Sequence, residues 1–207
     1  MSEPVYLSNI SFDYPRLPIL RRLGYRVGQQ PDEKTDNLIK QMSDEARILM
    51  DAKGLYSMLD LKDGEDFLEL DSTHRIKSNS LHKLLKDSDI AVVMAVTIGE
   101  DICAKRDYYV TDSKEMSKGV VIDAIMSEVV DAVMDSLHNM VKKIGIQKGY
   151  NTTIRYSPGY NDFDLSCQNM IDDLLGLGQI GVVVTDHHLL KPEKSVTAVA
   201  GWFHDRN

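Results

Sequence analysis

Apolar residues recur at steps of three and four through "EKTDNLIKQMSDEARILMDAKG" (residues 33–54), where Leu38, Ile39, Met42, Ala46, Leu49 and Met50 share one helical face. Gly54, just past a basic end, reads as the C-cap of that helix. Upstream, "RLPILRRLGYR" predicts a short helix after Pro15 and Pro18 that closes near Gly24. The period then shortens. "LYSMLDL", "DFLEL" and "HRIK", separated by "KDGE" and "DST", read as strands of a meander. "SNSLHKLLKD" returns to helix, with Ser78 or Ser80 as its cap.

"IAVVMAVTIG" (residues 90–99) is apolar at nearly every position and predicts a central strand buried on both faces. The longest helix is expected over "EMSKGVVIDAIMSEVVDAVMDSLHNMVKKIG", with Val121, Ile122, Ile125, Val129, Ala132, Val133, Met140, Val141 and Ile144 as its buried stripe. Lys142 and Lys143 fall toward its carbonyl end, where the helix dipole favours cations. Asp131 and Asp135 lie one turn apart on another face. "TTIRY" and "IGVVVT" are two more strand candidates, and "SVTAVAGWF" closes the pattern. With no repeat, low-complexity tract or linker in view, residues 1–207 are expected to form one α+β domain.

Composition narrows the class. The 207 residues, 43% hydrophobic, suffice for a full core, and no apolar run reaches the length of a membrane span. "MSEPVYLSNISF" lacks the basic and apolar blocks of a signal peptide, and two distant cysteines, Cys103 and Cys167, suggest neither a disulfide framework nor a metal cluster. A cytoplasmic protein is expected. A net charge of −8 argues against a nucleic-acid partner, because phosphate binding needs a basic surface. Arg21, Arg22 and Arg26 form either a local positive patch or a solvated helix end.

Candidate chemistry concentrates in "RYSPGYNDFDLSCQ". Pro158 fixes its own φ, while Gly159 permits a positive φ or close approach of a ligand. Arg155 offers a planar fork suited to a carboxylate, and Tyr160 can stack on a ring. The alternative is a plain turn whose arginine pairs with a local carboxylate such as Asp162 or Asp164. In "TDHHLLKPEKS", His187 and His188 are adjacent in an extended segment, so their rings point apart and share no metal. Asp186 beside them lacks an accompanying serine or cysteine nucleophile in a recognisable elbow. Asp123, Glu128, Asp131 and Asp135 mark either a carboxylate cluster or the solvated face of the long helix. There is no Walker loop, "GxGxxG" or "HExxH", and the residues alone name no catalytic group.

Four segments in order, "ILRRLGYR", "AVTIGEDI", "RYSPGY" and "GVVVTDHHLLKPEKSVTAVAGW", resemble the activation domain of vitamin B12-dependent methionine synthase, in a free-standing form. The resemblance is strong over residues 90–202 and weak before Asp89. It implies a bent, mainly antiparallel sheet flanked by helices, and S-adenosylmethionine as the ligand. It also implies that Arg155 meets the methionine carboxylate and that the backbone of the turn at Ser157, Gly159 and Tyr160 reads adenine. A helix-borne acidic residue near the family's ligand aligns with Asp131, shortened here from glutamate.

The activity so implied is a repair. An electron donor such as flavodoxin reduces cob(II)alamin, and S-adenosylmethionine methylates the resulting cob(I)alamin. The chain would act as the activation component of a methyltransferase, with cobalamin held only by the partner, because no "DxHxxG" corrinoid loop occurs here. That partner is a methionine synthase lacking its own activation domain or another corrinoid protein. Two alternatives stay open: a helper of a corrinoid O- or N-demethylase system, and a docking module that has lost the ligand. The intact "RYSPGY" favours ligand binding. Two departures from the family pattern favour weaker binding or help from the partner. The family's acidic, tryptophan-containing N-terminal segment has no clear match, and the chain stops at Asn207, before the family's late tyrosine.

Overall fold

The computed structural model describes residues 3–64, 66–111 and 115–204. Its centre is β5 (Ile90–Thr97), where Ala91, Val93 and Ala95 face one core and Val92, Met94 and Val96 the other. That double burial is why the segment reads as a continuous apolar run rather than an alternation. β5 pairs antiparallel with β2 (Lys53–Asp63) on one side and with β9 (Ser195–Phe203) on the other. Beyond β2 lie β3 (Leu68–Leu70) and β4 (His74–Ile76), and beyond β9 lies the two-residue β6 (Asn151–Thr152). β1 (Val5–Leu7) also pairs with β2, and every pairing is antiparallel. The sheet order is β4-β3-β2-β5-β9-β6.

One face of the sheet carries α1 (Arg16–Arg22), α2 (Glu33–Leu49), α4 (Asp101–Thr111) and the 32-residue α5 (Met116–Gln147). From α5, Val121, Ile122, Ile125, Val129, Val133 and Val141 are buried as their spacing predicts. Ala132, Met140 and Ile144 are only partly covered. The opposite face carries α3 (Asn79–Leu85), α6 (Cys167–Leu175) and a 3-10 turn, with Phe163, Leu81, Leu85, Ile171 and Leu175 closing the second core. The architecture is therefore the mixed helix and antiparallel sheet expected of an α+β domain.

Four local expectations change. α2 ends at Leu49, with Met50 extended, so Gly54 is not its cap but a residue of β2. A Cβ there would stand 2.8 Å from Ile10 Cδ1 and 3.0 Å from the Ala95 carbonyl, so close packing of the strand requires the glycine. α4 was not foreseen, because only Ile102, Cys103 and Tyr109 of its residues are buried and its amphipathic signal is faint. "TTIRY" is strand only at Thr152, resuming as a single bridge between Tyr156 and Val199. "IGVVVT" contributes just β7 (Val183–Val184), which pairs with β8 (Leu190–Lys191) in a hairpin separate from the main sheet. Of the two proposed caps of α3, Ser78 holds the position and accepts from the Leu81 N–H.

Candidate functional site

After β6 the chain stays beside β9, with Thr153 N–H donating to the Gly201 carbonyl and Tyr156 exchanging both backbone bonds with Val199 at 2.8 Å. Side chains alternate along such a segment. Tyr156 turns toward the second core and stacks on Phe163, with ring centroids 6.2 Å apart. Its neighbour Arg155 therefore projects to the other side, toward α5. There Nε and Nη2 donate to Asp135 Oδ1 at 3.1 and 3.0 Å, and Nη2 lies 3.6 Å from Asp131 Oδ1. The helical spacing that put the two aspartates one turn apart delivers both to one guanidinium.

This replaces the local pairing considered for Arg155. Asp162 instead accepts from Ser78 Oγ and from the Asn79 and Ser80 amides at the start of α3. Hydrogen bonds from Ser80 and Ser78, with those amides, hold its carboxyl at a pKa of about 2. Asp164 accepts from the Ser166 amide. The turn at 157–160 is thus tied down on its far side by Asp162 and by buried Phe163. Gly159 has φ +90°, and its N–H donates to the Phe163 carbonyl at 2.7 Å. The Tyr160 N–H points to the Ser157 carbonyl at 3.4 Å, and the Tyr160 ring is exposed.

Between this turn, α5 and the start of β9 lies a cleft of about 330 Å³ lined by Arg155, Asp131, Ser157, Tyr160, Gln168 and Lys194, among others. That volume is at the low end of small-molecule sites, which run to about 300–1,000 Å³. Four sequence candidates, Arg155, Ser157, Tyr160 and Asp131, line this one space, and the fifth, Gly159, shapes its rim. Burial pushes the Asp131 carboxyl above the ordinary range; Arg155 opposes the shift, while the nearby Glu128 and Asp135 carboxylates add to it. The half-exposed Asp131 is the less firmly paired of the two acids, because Asp135 takes both of the arginine's hydrogen bonds.

The other acidic residues of α5 also meet cations. Glu128 pairs with Arg22 of α1, and Asp123 with Arg106 at 3.2 Å and with Lys194 at 2.9 Å. Burial would raise the Asp123 carboxyl, but Lys194 and Arg106 outweigh it and the pKa falls below the usual value. Lys194 is nearly buried on the cleft wall and also donates to Ser127 Oγ at 3.0 Å. Nothing in the sequence pattern singles out Lys194 or Gln168, or pairs Asp135 with Arg155. Only Asp135 carried a signal, its one-turn spacing from Asp131.

The remaining candidates lie elsewhere. His188, with φ +60°, sits in the β7–β8 connection with Nδ1 3.2 Å from Asn169 Nδ2. Burial raises the thiol pKa of both Cys103 and Cys167, which favours the unreactive thiol. Among the described residues no group of three or more His, Cys, Asp or Glu is arranged to hold a metal, and no helix is long and apolar enough to cross a membrane.

No protein-family model matches the chain, and no curated protein does. A solved structure does: the MetH reactivation domain bound to AdoHcy superposes with a TM-score of 0.72 at 16% sequence identity, over 99% of this chain and 79% of that one. The chain has the fold of the MetH reactivation domain. The correspondence with that domain includes the strands before Asp89, where the sequence resemblance is weak. At this identity the MetH likeness is one of backbone arrangement.

Proposed function

We propose that the Arg155 cleft binds S-adenosylmethionine and that the chain serves as the activation component for a corrinoid partner. The observation that supports this is the convergence of Arg155, Asp131 and the 157–160 turn in one cleft, on a fold whose solved counterpart carries AdoHcy. An arginine flanked by two carboxylates matches the two charges of an amino-acid end. The ligand's carboxylate goes to Arg155 and its ammonium to Asp131. Arg155 need not release Asp135 for this, since Nη1 makes no hydrogen bond to any described residue.

Bound S-adenosylmethionine supplies a methyl group on a sulfonium, an electrophile that needs alignment more than acid–base help. The chain's residues would bind and orient it: Arg155 and Asp131 fix one end, and Ser157, Pro158 and Tyr160 of the turn border the other. The methyl acceptor, reduced cobalt, would belong to the partner, a methionine synthase without its own activation domain or a related corrinoid protein, with an electron donor such as flavodoxin. One observation favours a second reading, in which Arg155 only braces the turn: its two hydrogen bonds to Asp135 form without a ligand.

Calorimetric titration separates the proposal from ligand-free docking. The isolated chain is expected to bind S-adenosylmethionine and not cobalamin. Absence of S-adenosylmethionine binding, both alone and in the presence of a corrinoid protein, would leave the docking module as the better account.

A further inference from the structure

Gln168, the second residue of α6, is only 5% exposed. A carboxamide so enclosed needs partners for its oxygen and for its NH2 group, because a buried unpaired amide is costly. The oxygen has one: buried Thr197 of β9 donates to Oε1 at 2.7 Å. Thr197 shares the β9 face of Val199, toward the second core and α6, so the bond locks the carboxamide from behind. The NH2 group makes no hydrogen bond to a described residue, yet Nε2 is absent from the buried polar atoms left without a partner. The spaces open to it are the ones Gln168 lines. Gln168 lines both the Arg155 cleft and an adjoining chamber of about 500 Å³, together with Leu190, Glu193 and Ser195.

Two amides of the turn are committed elsewhere. Gly159 N–H serves the Phe163 carbonyl and Tyr160 N–H faces the Ser157 carbonyl. Those two amides are closed to a ligand, whose acceptor atoms are left Ser157 on the turn and donors on other elements around the cleft. We propose that Gln168 is such a donor: its NH2 group recognises an atom of the nucleoside that can only accept, the ribose ring oxygen or a ring nitrogen, where the cleft opens into the second chamber. The inference rests on the S-adenosylmethionine reading, with the amino-acid end at Arg155 and Asp131. With Oε1 held by Thr197, the side chain presents only donors, so it selects for an acceptor.

The test uses the ligand's two halves as separate probes. Adenosine and methionine are titrated by NMR into the wild-type chain and into Gln168→Leu and Gln168→Glu. Adenosine affinity is expected to fall about 3- to 10-fold in the leucine variant, the range for losing one neutral hydrogen bond. It should fall further in the glutamate variant, which sets an acceptor against an acceptor. Methionine affinity should stay unchanged in both. Gln168→Glu retains the oxygen that Thr197 needs, so it decides the matter if Gln168→Leu does not fold. Equal adenosine binding by wild type and the glutamate variant overturns the proposal, as does a wild-type chain that ignores adenosine. The parent reading fails differently: Gln168-dependent adenosine binding with no binding of methionine or S-adenosylmethionine would remove the amino-acid end and keep Gln168 as a nucleoside donor.

Discussion

Arg155→Ala should cost far more affinity than stability. The side chain is 24% exposed, so its bonds to a ligand carboxylate would form in a partly desolvated place. Hydrogen bonds to a charged group contribute about 1.5–3 kcal/mol, which places the loss of S-adenosylmethionine affinity at about 10- to 150-fold. The stability term is smaller. Asp131 and Asp135 are 49% and 62% exposed, and ion pairs so open to solvent are worth about 0–1 kcal/mol each. For a chain of this length that lowers Tm by no more than about 4 °C per pair. Arg155→Lys keeps the charge without the planar fork and should recover only part of the binding. Calorimetry and thermal unfolding of both variants read the two terms separately. An Arg155→Ala protein with affinity within about twofold of wild type, whatever its Tm, would refute the assignment and return Arg155 to bracing the turn.

Two carboxylates should reveal their roles through pH. Because the Asp131 pKa lies above the ordinary aspartate value, acidification should neutralise it early, and affinity for the ligand's ammonium should begin to fall above the usual carboxylate range. Asp131→Asn should bind more weakly and lose that pH dependence in the same titration; an unchanged profile would remove Asp131 from the site. Asp162 works in the opposite direction. Its folded pKa of about 2 lies below the ordinary 3.8, so its contribution to stability is complete above about 4 and is lost as pH falls toward 2. The Tm difference between wild type and Asp162→Asn should therefore shrink over that window, and a constant difference would show that Asp162 does not hold the turn as a carboxylate.

Periodicity predicted the elements whose residues bury a wide stripe. β5 and α5 were legible for that reason, since every apolar residue of β5 and most of those of α5 meet one of the two cores. α4 was not, because a helix that buries three side chains leaves little period to read. Gly54 was misread for a different reason. A glycine after a basic stretch is an equally good sign of a helix cap and of a strand position with no room for Cβ, and only the neighbouring Ile10 and Ala95 decide between them. The motif around Arg155 was visible as a rigid turn with a cation, but its pairing was sought among nearby acids. The partners came from α5, twenty and twenty-four residues earlier, because alternation along the chain beside β9 aims Arg155 at that helix. Gln168 carried no sequence signal at all; its meaning depends on Thr197, twenty-nine residues away.

The central claim is that Arg155 receives the carboxylate of S-adenosylmethionine in this cleft. A crystal structure of the chain with that ligand tests it most directly. The account predicts the ligand's carboxylate within hydrogen-bonding distance of the Arg155 guanidinium, its ammonium facing Asp131, and its nucleoside reaching Gln168. A ligand seated in another cavity, with Arg155 still facing only Asp131 and Asp135, would contradict it.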